Sequence, residues 1–192
     1  MFQWLQQLPK YWRKRNAITY LLWPLEVTYK VAWRLRQGAI RLGWIAQYRV
    51  NATVIVVGNV VVGGGGKTPL TMALVQRLVK QGLQVGVVSR GYGRTHTSLQ
   101  IVNAQSLATE VGDEPLMIFQ KCNVPVVVGT QRVAAARQLL NQFPSINVLV
   151  CDDGLQHIAL QRDIEICVMD ATGLGNGHLL PAGPLREPWP RQ

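Results

Sequence analysis

The chain has 192 residues, enough for one ordinary domain with an appendage, and 48% of them are hydrophobic, which excludes a disordered chain. Its three cysteines, Cys122, Cys151 and Cys167, have no C-x-x-C spacing and sit in or beside apolar runs, which argues against a zinc site or disulfide framework and for buried thiols in a reducing compartment. The net charge of +10 is unevenly spread: residues 1–50 hold nine Lys or Arg against Glu26 alone, whereas residues 51–192 are close to neutral.

Five of the six tryptophans also fall in the first 50 residues. The stretch from Ala17 to Trp33 is mostly apolar, but Pro24, Glu26 and Lys30 interrupt it. It falls short of the roughly 20 apolar residues that cross a bilayer. It also lacks the small-residue cleavage site of a secretory signal. Indole rings favour the headgroup region, and Lys and Arg snorkel toward anionic phosphates. Residues 1–50 are therefore expected to form one or two basic, aromatic helices on the membrane surface. A single span and a helical hairpin packed on the core are the alternatives. The aliphatic bulk argues against a nucleic-acid surface.

Residues 51–192 read as an α/β core. "TVIVV" (53–57), "QVGVVS" (84–89), "VPVVVG" (124–129), "NVLVC" (147–151) and "DIEICVM" (163–169) are apolar runs that suit strands buried on both faces. Helical spacing marks 68–82, 114–121 and 130–142 between them. The alternation predicts a doubly wound, mostly parallel α/β sheet, and the glycine-rich "GGGGKT" (63–68) after its first strand makes it P-loop NTPase-like.

"GNVVVGGGGKTP" (58–69) leaves the first strand and opens the first helix, the context a phosphate-binding loop requires. Bare backbone amides can turn inward around phosphate oxygens, and the helix N-terminus adds its positive end. Val61, Val62 and Gly63, Gly64, Gly65 and Gly66 are candidate loop residues. Lys67 would reach the β- and γ-phosphates, and Thr68 would offer its hydroxyl to Mg2+. Pro69 suits the first helical turn. The usual first glycine of such a loop is replaced by Val61.

Three further motifs carry charge. "NVLVCDDG" (147–154) ends a buried strand in Asp152 and Asp153, read as Mg2+ ligands or as turn and cap residues, with His157 one turn on. "VGDEP" (111–115) offers either an N-cap Asp113 or a general base, with Glu114 near the metal. "SRGYGR" (89–94) brings Arg90 and Tyr92 on a glycine turn that could bind an anionic acceptor or be an ordinary turn.

Taken in order with "GNGHLLPAGPLREP" (175–188), these motifs resemble the tetraacyldisaccharide 4'-kinases, the lipid A 4'-kinases of Gram-negative bacteria. The resemblance implies transfer of the ATP γ-phosphate, with Mg2+, to the 4'-hydroxyl of an acylated glucosamine disaccharide 1-phosphate at the cytoplasmic face of the inner membrane. It implies that Gly63 to Thr68 cradle ATP and that Asp113 deprotonates the sugar hydroxyl. It further suggests Glu114, Asp152 and Asp153 around metal and phosphates; Arg90, Tyr92 and His157 are the candidate acceptor residues. The family continues past "LPAGPLREP" into a second domain whose histidine pairs with the catalytic aspartate, so this chain is expected to be an N-terminal part, with its full activity in question. A membrane-associated P-loop ATPase or switch is the alternative, and a membrane adaptor with a vestigial nucleotide site is a third.

Overall fold

The computed structural model describes residues 11–63 and 65–190. They fall into two compact units. One comprises residues 47–58 and 66–168; the other joins the N-terminal residues through 46 to 59–65 and to the segment from 169 onward.

The first unit is a six-stranded sheet: β1 (Thr53–Gly58), β2 (Val85–Ser89), β3 (Gln100–Ile101), β4 (Val126–Val128), β5 (Val148–Asp152) and β6 (Ile164–Cys167). The strand order is β3-β4-β2-β5-β1-β6, parallel except for β3, which runs antiparallel to β4. Its helices are α2 (Lys67–Lys80), α3 (Ala108–Val111), α4 (Asp113–Cys122) and α5 (Arg132–Gln142). Strand residues alternate between faces. Ile55, Val57, Val87, Val126 and Val150 pack with Val75 of α2 and Ile118 of α4. Val54, Val56, Val88, Val127 and Leu149 pack with Ala135, Ala136 and Leu139 of α5. Two cores on opposite faces make the sheet doubly wound, as the apolar runs predict. The register sets the C-terminal ends of three strands side by side: Val57 pairs with Asp152, and Val88 with Cys151.

Two expectations need correction. The 163–169 run reads as a strand buried on both faces, but β6 is the sheet edge and its residues are exposed or half-buried. With a neighbour on one side only, its apolar side chains are incompletely covered. The short β3 and the single-turn α3 fall inside a stretch with no predicted element.

The second unit contains α1 (Ala17–Arg41), a 25-residue helix that runs through Pro24. The proline removes one donor from the ladder but does not end the helix. Asn16 caps it: its Oδ1 accepts from the Thr19 amide at 3.1 Å, and Thr19 Oγ1 accepts from the Asn16 amide at 3.4 Å. One face of α1 packs on the segment after β6. Glu26 meets His178 Nδ1 at 2.6 Å and accepts from the Leu179 amide at 2.9 Å. The Tyr29 hydroxyl donates to the Arg186 carbonyl at 2.7 Å, and Asn176 donates to Thr19 Oγ1 at 3.2 Å. The opposite face leaves Leu21, Val31 and Leu35 exposed, at 78%, 50% and 70%. No helix among the described residues is long and apolar enough to cross a membrane.

Candidate active site

The polar residues of the α/β unit gather where β1, β2 and β5 end. Gly66 caps α2 with a left-handed φ of 91°, which favours glycine. No side chain caps this helix, so its first-turn amides remain available to an anion. Lys67, the first helical residue, extends its Nζ to 3.5 Å from Asp153 Oδ1. Thr68 is buried beside it. Asp153 leaves β5 with a φ of 50°, a strained turn for a residue with a side chain.

Asp152 is fully buried. Its Oδ1 accepts from Thr71 Oγ1 at 3.0 Å, and its Oδ2 has no partner among the described residues. Burial lifts this carboxyl to about 6; Glu114 and Asp153 add to the lift, while Thr71 and Lys67 oppose it. The charges of Lys67, Glu114 and Asp153 are therefore within electrostatic reach of Asp152.

Asp113 is not the cap of its helix. Gly112 takes that position with a φ of 93°, and Asp113 and Glu114 occupy the first turn with exposed side chains. A Cβ on Gly112 would lie 3.0 Å from Gly91 Cα and from the Tyr92 carbonyl oxygen. The "VGDEP" and "SRGYGR" segments thus meet backbone to backbone, and only glycine permits that approach. Tyr92 itself is 83% exposed.

Arg132, at the start of α5, is buried, with Nη1 donating to the Gly129 carbonyl and Nη2 to that of Asp152 at 3.5 Å. Burial lowers its pKa, and the negative charges of Asp152 and Asp153 counter part of that effect. His157 is lowered to about 4, by burial first and then by the positive charges of Arg132 and Arg90, so its imidazole is neutral at neutral pH. Arg162 fixes the turn holding His157 by donating to the carbonyls of Leu155 at 3.0 Å and His157 at 2.7 Å.

The first half of the glycine loop belongs to the other unit. Val61 is buried and bridges to Leu185, and the Val62 amide donates to the Pro184 carbonyl at 2.9 Å. That amide is therefore engaged by the "LPAGPLREP" segment rather than open to a phosphate. The Gly65 amide donates to the carboxylate of Asp170, which also accepts from the Thr172 amide at 2.8 Å. A Cβ on Gly63 or Gly65 would meet nothing within 4 Å, which leaves open space on the bare side of the loop.

These features fit a nucleoside triphosphate with Mg2+. In the α/β unit the amides of α2 are uncapped, and Asp152 keeps a buried acceptor oxygen without a partner among the described residues. Among the described residues no three of His, Cys, Asp and Glu are grouped closely enough to hold a metal by themselves. Glu114, Asp152 and Asp153 thus do not form a closed cage. Mg2+ prefers such a partial set, one or two carboxylates completed by phosphates and water.

The family model of the tetraacyldisaccharide-1-P 4'-kinases (LpxK) matches residues 18–192. The chain belongs to this family. It is 57% identical to the tetraacyldisaccharide 4'-kinase of Polaromonas sp. (strain JS666 / ATCC BAA-500), over 93% of the chain and 53% of that protein. It is 52% identical to that of Acidovorax sp. (strain JS42), over 94% of the chain and 53% of the relative. The crystal structure of Aquifex aeolicus LpxK, described as an "apo" form in complex with ATP, superposes with a TM-score of 0.80 at 34% identity, covering 89% of this chain and 55% of that one. The chain spans about half the length of the curated kinases it matches.

In this member of the kinase family, sequence reading missed Thr71, Arg132 and Asp170. Thr71 lies one turn beyond Thr68 on the same helix face, a spacing that could have signalled it. An arginine just after a fully apolar strand end, as in "VVVGTQR", is a weaker signal for Arg132. Nothing in the sequence near Asp170 announces its bond to Gly65.

Proposed function

We propose that the chain forms the nucleotide-binding part of a tetraacyldisaccharide 4'-kinase. The single observation that carries this reading is the uncapped start of α2, with Lys67 drawn to Asp153 beside the buried Asp152. The substrates are ATP and an acylated glucosamine disaccharide 1-phosphate. In the transfer, the 4'-hydroxyl oxygen bonds to the γ-phosphorus, the bond to the β,γ-bridging oxygen breaks, and ADP leaves. Asp113, exposed at the start of α4, takes the hydroxyl proton. Gly66 and the first amides of α2 bind the phosphates, and Lys67 neutralises the charge that develops on them. Thr68, Asp152, Asp153 and Glu114 would hold Mg2+, which when bound draws charge from the phosphate oxygens. Arg90, Tyr92 and the neutral His157 line the acceptor side.

We place the protein at the cytoplasmic face of the inner membrane. The exposed apolar face of α1 and the basic N-terminal residues support this reading.

The test combines binding and transfer. The purified chain in detergent micelles with Mg·ATP should bind ATP, and Lys67→Ala should weaken that binding by at least about thirtyfold, as removal of one partner of a desolvated charge pair does. Unchanged ATP binding by the variant would refute the phosphate-loop assignment. Adding the tetraacyl disaccharide 1-phosphate and weighing the lipid tests the acceptor: a gain of one phosphate group supports the kinase reading. ATP hydrolysis with no lipid product would favour an ATPase.

A further inference from the structure

The charged flank of α1 builds a second site. Lys30, Arg34, Gln37 and Arg41 recur at i, i+4, i+7 and i+11, so they share one helix face. Together with Trp33 and the Pro188–Pro190 segment, which includes Trp189, they line a cavity of about 490 Å3. Every lining residue belongs to the same compact unit. The lining holds three cations and no acid. Among the described residues no ion pair engages Lys30, Arg34 or Arg41. The nearby buried Glu187 acts on Tyr29, a residue outside this lining.

Three cations with no ion pair among the described residues, around an aromatic-walled hollow, have the chemistry of an anion site. Its position along the helix says which anion. Val31 and Leu35 neighbour Arg34 on α1, and Leu42 follows Arg41; all three are exposed. A ligand with its charge in the cavity would lay apolar substance along this row. Indole rings beside cations are the side chains that settle at a bilayer's headgroup level.

We propose that this cavity binds the phosphate headgroup of an anionic bilayer phospholipid, its acyl chains lying along the Val31–Leu35–Leu42 row. The proposal rests on the membrane-surface reading of α1 and adds a discrete headgroup site to it. Arg34 and Arg41 donate to the phosphate oxygens, Lys30 adds charge, and Trp33 and Trp189 wall off water.

The test uses the full chain and two vesicle types: phosphatidylcholine alone, and phosphatidylcholine with phosphatidylglycerol. The measured quantity is the ratio of affinities for anionic and neutral vesicles. The double variant Arg34→Gln/Arg41→Gln should lower this ratio by about tenfold or more, the loss of charge-assisted hydrogen bonds. Trp189→Ala removes no charge and should lower it too. The control Arg13→Gln/Arg15→Gln removes two exposed arginines outside the cavity and should lower it less. ATP binding, read in parallel, reports that each variant is folded. Equal losses in the two double variants, with none in Trp189→Ala, would mean diffuse attraction and would overturn the site. Equal wild-type binding to both vesicle types would overturn it while leaving the membrane reading standing. Binding to neither would sink both. Saturable binding of inorganic phosphate as tight as vesicle binding would overturn the assignment to a lipid.

Discussion

Asp152 and His157 are displaced by burial in opposite senses for folding. Asp152, raised to about 6, binds its proton more readily folded than unfolded. The stability it contributes is fully present below its unfolded pKa and is lost as pH rises toward 6. His157, lowered to about 4, holds its proton less readily when folded. Its contribution is present above the unfolded value of 6.5 and is lost as pH falls toward 4. In the same window the two slopes oppose each other. Replacing either one should uncover the other. In denaturant titrations between pH 4 and 6.5, His157→Gln should tilt stability toward acid relative to wild type, and Asp152→Asn should tilt it away from acid. Parallel profiles for all three proteins would show that burial does not set these groups apart. The same residues mark what sequence can and cannot disclose about a site. Asp152 and Asp153 were legible because a fully apolar strand ended on them. Arg132 was not, because an arginine near a helix start is ordinary there and only the fold turns it toward Asp152; for Thr71 the spacing from Thr68 was a signal, but its partner Asp152 lies 81 residues away.

At the scale of elements, the strands buried on both faces were the most legible, since a short, continuous run of valine and isoleucine suits little besides a covered strand. β3 has two residues and α3 one turn, too short for any period to register. Pro24 interrupts the apolar run but not the helix: α1 passes through it, held by an N-cap and by contacts of Glu26 and Tyr29 that no local pattern reveals. The junction before α4 depends on glycine in a way that can be tested. Gly112→Ala combines a left-handed φ with a contact of 3.0 Å to Gly91 and Tyr92. The substitution should destabilise the chain by roughly 1–3 kcal/mol. It should also shift Asp113 and Glu114 while leaving Lys67 and its helix in place. The expected signature is a lower denaturation midpoint, with weaker binding of Mg·ATP through Glu114 and nearly unchanged binding of ATP without Mg2+. Loss of metal-free ATP binding at full stability would place this junction against the phosphates themselves instead.

For the whole molecule, the charge asymmetry suggests a simple division at about residue 50, a basic anchor followed by a neutral enzyme core. The compact units divide the chain differently, joining the N-terminal residues to 59–65 and to the segment after 169. The reason lies in polar contacts reaching more than 150 residues along the chain: Glu26 with His178 and Leu179, Tyr29 with Arg186, and Trp12 Nε1 with the Pro181 carbonyl at 3.1 Å. An anchor that only holds a protein on a surface can be cut away without harm to the rest. A helix that satisfies the buried polar groups of a distant segment cannot, because those groups lose their partners. Deletion of residues 1–46 should therefore loosen 169–190 and leave the sheet unit intact. Limited trypsin digestion reads this directly. Cleavage after Arg186 should become much faster in the shortened chain, while fragments within 47–168 persist. If Arg186 stays as protected as before, the N-terminal helix is an appendage after all, and the segment after β6 is held by something other than α1.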